Sequence, residues 1–157
     1  MPPSADPPNQ SDPLTAIILV DHGSRRAASN EQLLAVVEAY RQQTRWPIVE
    51  PAHMELAEPS IATAFDRCVA QGARRVVVFP YFLSPGRHWS QDIPRLATAA
   101  AEIHPGVSHV VTAPLGLHEL LLQVIDQRVA HCLAHVAGDA PACEICDAHS
   151  GCRPGNG

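Results

Sequence analysis

The sequence has no lysine; all 11 of its basic residues are arginine, against 16 acids, for a formal net charge of -5 with neutral histidines. A general nucleic-acid binder needs a cationic face, and this balance argues against one. Aromatic residues make up only 4% of the chain, so aliphatic side chains must build the core. No apolar run reaches the roughly 18 residues of a membrane span. The phosphate cradles GxGxxG and GxxxxGK[ST] are missing, as is the GxSxG nucleophile elbow. A histidine phosphatase needs Arg before His-Gly, and Asp21 stands there instead.

What is present suits one compact domain: 157 residues with a hydrophobic fraction of 46%. The ends differ from the middle. Residues 1–13, MPPSADPPNQSDP, hold five prolines and almost nothing to bury. They read as a disordered arm. With no Lys or Arg before Arg25 and no apolar core, the arm resembles neither a secretory signal nor a transit peptide, and a cytoplasmic location is expected. At the other end, residues 138–157 form a cysteine-rich tail. Between them, 14–137 reads as a single α/β domain.

The middle alternates strands and helices. Ala16–Val20 (AIILV) is a continuous run rich in β-branched residues, which predicts a strand buried on both faces. A helix follows over about 30–44, with Ser29 or Asn30 as its cap and Leu33, Val36, Val37 and Tyr40 on one face. A second strand is expected over 48–54. A second helix should start near Pro59 and stop at Gly72, with Ile61, Ala64, Phe65, Cys68 and Val69 at helical spacing. Strand 75–79 leads through PYFLSPGRHWSQD to a helix over 93–103, then a strand over 107–113 and a helix over 117–136. Such alternation implies a four-stranded parallel sheet with helices on both faces.

Open parallel sheets bind ligands beyond the carboxyl ends of their strands. Three segments meet that rim: Asp21-His22-Gly23-Ser24-Arg25-Arg26, His53-Met54-Glu55 and Ser84-Pro85-Gly86-Arg87-His88. Neutral imidazoles suit Fe(II), Co(II), Ni(II) or Zn(II), and two histidines with a carboxylate leave coordination positions open. Nearby arginines favour an anionic ligand. The combination suggests a divalent metal meeting an acidic organic molecule, with protons leaving. His53 is the weakest member of this set. His104, His109 and His118 fall on helix ends or surface positions and read as structural, as does Cys68 on an apolar helix face.

In the tail, Cys132, Cys143, Cys146 and Cys152 are spaced C-x10-C-x2-C-x5-C. Four thiolates satisfy either zinc or an iron–sulfur cluster, and spacing does not choose between them.

The segments HGSRRAASN, PAHMELAEPSI, RVVVFPYFLSPGRHWSQDIP and TAPLGLHELLLQV resemble the small CbiX/SirB-type class II chelatases, in particular the plant-type sirohydrochlorin ferrochelatases. The likeness runs from about Ile17 to Cys152. It implies a chelatase-like lobe and ATP-independent insertion of Fe(II) into sirohydrochlorin to give siroheme. It implies His22 and His88 as metal-binding histidines, His22 also taking protons, and Glu55 as the acidic residue beside the metal path. If it holds, Ser24, Arg25 and Arg87 are the side chains placed to meet the substrate's carboxylates. It further implies a homodimer and tips the tail cysteines toward a [2Fe–2S] cluster. Two alternatives stand beside this reading. One is a cobaltochelatase feeding cobalamin synthesis. The other is a non-enzymatic iron–sulfur or metal-delivery protein.

Overall fold

A computed structural model describes residues 13–149. The first twelve residues of the expected arm and Cys152 lie outside the described residues. The elements are β1 (Thr15–Asp21), α1 (Ala27–Gln43), β2 (Ile48–His53), α2 (Ile61–Ala70), β3 (Arg75–Pro80), a π-helical turn (His88–Asp92), α3 (Ile93–Glu102), β4 (Ser108–Val111), α4 (Glu119–Ala137) and α5 (Glu144–His149). The chain forms two compact units, dividing at Gly116/Leu117, and α4 falls in the second with α5. Among the described residues no helix is long and apolar enough to cross a membrane.

In the first unit the strands form one parallel sheet in the order β2-β1-β3-β4. β1 is central and buried from Thr15 to Val20, as its unbroken apolar run requires. Its side chains alternate. Ile17 and Leu19 join Leu33 and Val37 of α1 on one face. Ala16, Ile18 and Val20 join Phe65 and Cys68 of α2 and Ile93 and Ala97 of α3 on the other. The apolar stripe of α2 is buried at Ile61, Ala64, Phe65 and Cys68.

Helix starts differ from expectation at three places, of which α4, beginning at Glu119 instead of Leu117, is one. α1 begins at Ala27, and its N-cap Arg26 makes no side-chain cap. Asn30 reaches back instead: its Oδ1 accepts the Ser24 amide at 2.9 Å and its Nδ2 donates to the Ser24 carbonyl at 2.8 Å. α2 begins at Ile61 rather than Pro59, because Ser60 is the better cap; its Oγ accepts the Thr63 amide at 3.1 Å. The expected loop before α3 contains the π-turn, and α5 had no counterpart in the sequence reading.

In the second unit, the His118 side chain caps α4 by accepting the Leu120 amide, and Gly138 ends the helix in the left-handed conformation. In the first unit His104 bonds Asp66 at 2.6 Å and stacks on Phe65, and His109 meets Thr98. All three histidines thus do structural work.

Candidate active site

Parallel pairing carries the β1 and β2 chains past their ends side by side. The Met54 amide donates to the Asp21 carbonyl at 2.9 Å, and the Glu55 amide to the His22 carbonyl at 3.1 Å. His22 and Glu55 are thereby held on adjacent strand exits. Their side chains meet: Nε2 of His22 lies 3.1 Å from Oε1 of Glu55, both about half exposed. Across from them, the π-turn after β3 delivers His88. Its ring stands edge-on to that of His22, with centroids 4.9 Å apart and planes at 71°.

Hydrogen bonds restrict the protons on these rings. Nδ1 of His22 faces the Gly23 carbonyl at 3.1 Å, and Nδ1 of His88 faces Oδ2 of Asp92 at 2.8 Å. Carbonyl and carboxylate oxygens only accept, so both Nδ1 atoms carry hydrogen. On His22, Nε2 therefore confronts a carboxylate, and the contact needs a proton or another cation between them.

The loop behind His22 is tightly built. Gly23 has φ of +85°, and a Cβ there would fall 1.9 Å from the Glu55 carbonyl oxygen. Only glycine fits this close approach. Asp21 Oδ1 accepts from the Gly23 amide at 3.0 Å and from Nδ1 of His53 at 2.6 Å. His53 is 1% exposed. It supports the rim from within, where the sequence reading had set it, as weakest member, among side chains facing the cleft.

A cavity of about 420 Å³ opens beside the histidines, lined by His22, His88, Tyr81, Phe82, Leu83 and Trp89 among others. Trp89 is anchored by its indole N–H on the Thr112 carbonyl at 2.8 Å. Arg25 and Arg87 are exposed beside the rim residues, with no ion pair among the described residues. Ser24 Oγ accepts the Arg26 amide at 3.0 Å, the contact of a turn hydroxyl. The sequence reading passed over Trp89 and Asp92. Only the i, i+4 spacing of His88 and Asp92 hinted at the second.

The profile of the CbiX family matches residues 16–132. The chain belongs to the CbiX family. It is 57% identical over 137 residues to the chloroplastic sirohydrochlorin ferrochelatase of Arabidopsis thaliana, covering 87% of this chain and 61% of that protein. It is 41% identical over 91 residues to the sirohydrochlorin cobaltochelatase of Methanocaldococcus jannaschii, covering 58% and 64%. Among solved structures, SirB from Bacillus subtilis with Fe3+ superposes at a TM-score of 0.69 with 32% identity, over 73% of this chain and 45% of that one. This CbiX-family chain thus spans less than two thirds of the length of these relatives.

In the second unit, Cys143 lies at the start of α5 beside Cys146. Hydrogen bonds from the Cys146 backbone, then from its side chain, then from the Ile145 backbone, lower the Cys143 pKa below the ordinary thiol value. Arg128 is nearby and pairs with Glu144 at 3.0 Å. Cys132 is half-buried. Among the described residues no group of three or more His, Cys, Asp or Glu side chains converges as a metal site. Among the described residues Cys143 and Cys146 lie side by side, and the rim residues are neighbours without a closed ligand shell.

Proposed function

We propose that this chain is a sirohydrochlorin ferrochelatase, inserting Fe(II) into sirohydrochlorin to give siroheme without ATP. The observation that carries the reading is the meeting of His22, Glu55 and His88 at the carboxyl rim of a CbiX-family sheet. The reaction exchanges one Fe(II) for two inner N–H protons of the macrocycle. Metal–ligand bonds of about 2.1 Å meeting near a right angle span about 3 Å, which matches the His22–Glu55 separation. His88 supplies a further nitrogen. A metal that is cargo must also leave, and an open set of ligands releases it more readily than a closed one. Once the metal has passed on, Nε2 of His22 and the Glu55 carboxylate are free to take the two protons.

Arg25 and Arg87 are the exposed cations for the substrate's carboxylates, and bidentate pairing would fix its orientation as well as its charge. Ser24 Oγ already accepts one bond and keeps its hydrogen to donate. Cobalt is the second reading. A sirohydrochlorin cobaltochelatase is among the relatives, B. subtilis SirB has been solved with cobalt, and ligand type alone sets no simple order of iron over cobalt.

For the tail, Cys132, Cys143, Cys146 and Cys152 are the proposed ligands of a [2Fe–2S] cluster. The adjacent Cys143–Cys146 pair, in which hydrogen bonding lowers the Cys143 pKa, fits one half of it. A bound cluster supplies one-electron redox chemistry, and no step of insertion is routed through it. A homodimer is proposed as the working form, as the resemblance to the small CbiX-type chelatases implies.

The deciding experiment is anaerobic incubation with sirohydrochlorin and Fe(II) or Co(II), following the pigment spectrum. Faster iron insertion supports the first reading, faster cobalt insertion the second, and none with either metal overturns both. His22→Ala should lower insertion at least about 100-fold, while an unchanged rate in a folded variant removes His22 from the reaction. Cys146→Ser should abolish iron–sulfur absorbance and leave insertion measurable; persisting absorbance contradicts the ligand set. Sedimentation analysis tests the dimer, which a monomer at working concentration would exclude.

A further inference from the structure

His88 opens a turn of unusual width. From His88 to Asp92 the chain is π-helical, and the Ile93 amide donates to the His88 carbonyl five residues back. Such turns cost regular hydrogen bonding and gather at functional sites. The widened turn places Asp92 beside the His88 ring, with Oδ2 at 2.8 Å from Nδ1. The other carboxylate oxygen, Oδ1, is 4.0 Å from Nη2 of Arg95. From the far side, the Trp89 bond to the Thr112 carbonyl holds the same turn against the end of β4.

The contact settles two properties of His88. A carboxylate offers no hydrogen, so Nδ1 must carry one, and the lone pair of a neutral ring is left on Nε2. The bond also restricts rotation of a ring that is about half exposed. Metal-binding histidines commonly donate their second N–H to a carboxylate, which fixes the tautomer and raises ligand basicity.

We propose that Asp92 is a positioning residue: it holds the His88 ring and its Nδ1–H tautomer so that Nε2 is presented to the divalent cation shared with His22 and Glu55. The inference rests on the reading of His88 as a metal ligand given above. It adds a residue that touches neither metal nor macrocycle.

The test uses Co(II) alone as probe, titrated into the full chain and followed by its d–d absorbance, for wild type, His88→Ala, Asp92→Ala and Asp92→Asn. Asp92→Ala should weaken Co(II) binding about 10- to 100-fold. Asp92→Asn should recover most of that loss, because its amide oxygen accepts the same bond. In insertion assays the apparent KM for metal should rise in Asp92→Ala with little change in kcat, a split that a general loss of structure would not produce. Long-range 1H–15N spectra should show His88 as the Nδ1–H tautomer in wild type and a mixture in Asp92→Ala. Wild-type affinity in Asp92→Ala, or an Nε2–H tautomer in the wild-type protein, overturns the proposal. The tautomer measurement and Asp92→Asn decide it even where Asp92→Ala fails to fold. Unaltered Co(II) binding in His88→Ala would instead overturn the ligand reading, an outcome separate from normal binding in Asp92→Ala alone.

Discussion

Asp21 and His53 end β1 and β2, face each other in the parallel register, and are joined by a 2.6 Å hydrogen bond from Nδ1 to Oδ1. His22 follows the first and Glu55 comes two residues after the second, so this pair fixes the corner from which both rim side chains project. Removing the buried imidazole leaves a cavity and takes from Asp21 Oδ1 the shorter of its two hydrogen bonds, the Gly23 amide remaining. His53→Ala should therefore cost about 2–4 kcal/mol in denaturant unfolding. A loss below about 1 kcal/mol would mean that the corner holds without the pair.

The neighbouring glycine is constrained from outside. Gly23→Ala must place a methyl group against the Glu55 carbonyl in a conformation that L-residues avoid. The loop has to shift, carrying His22 away from Glu55. A lower melting temperature and at least about a tenfold loss of insertion are expected. A folded Gly23→Ala protein with full activity would show that the rim tolerates displacement.

Acid sensitivity has an identifiable source at the start of α2. The Glu58 pKa lies below its ordinary 4.5, first because the Ser60 amide donates to its carboxylate and next because the Thr63 hydroxyl does. A depressed carboxylate adds stability above its unfolded pKa and loses it as pH falls through the lower folded value. Melting temperatures of wild type and Glu58→Gln should thus differ near neutrality and converge as pH falls below the ordinary 4.5 and through the lower folded value. A gap that persists into strong acid would point to a contribution independent of ionisation.

The thiols should separate by reactivity. Burial, with a smaller effect of Glu50, pushes Cys68 up to about 12, whereas hydrogen bonding holds Cys143 below the ordinary thiol value. In cluster-free protein near neutral pH, iodoacetamide should modify Cys143 well before Cys68. Peptide mapping that finds Cys68 labelled first would contradict both assignments.

Much of this was legible in the residues. AIILV suggested a doubly buried strand through its β-branched composition, and Ile61, Ala64, Phe65 and Cys68 a single helix face through their spacing. The carboxyl rim followed from βα alternation, which put His22, Glu55 and His88 among its candidates, and the resemblance to the chelatases singled these three out. Helix starts were less readable. Asn30 has the chemistry of a cap but closes the Ser24 turn, since a short polar side chain serves either purpose and its neighbours decide. Nothing local announced the π-turn, in which Trp89 donates to the carbonyl of Thr112, 23 residues further along the chain.

The amino-acid order by itself determined the strand–helix alternation, the two-faced burial of β1 and the chemical inventory at the strand ends. These depend on side-chain polarity and spacing, which act over a few residues. Only the tertiary structure decided which of those groups meet. The pairing of β1 with β2 put His22 Nε2 against Glu55 and buried His53 behind Asp21, and the pairing of β1 with β3 set the His88 ring beside His22 with Asp92 behind it. Distances of a few ångströms between residues far apart in the chain are set by strand register and packing, and no local pattern encodes them.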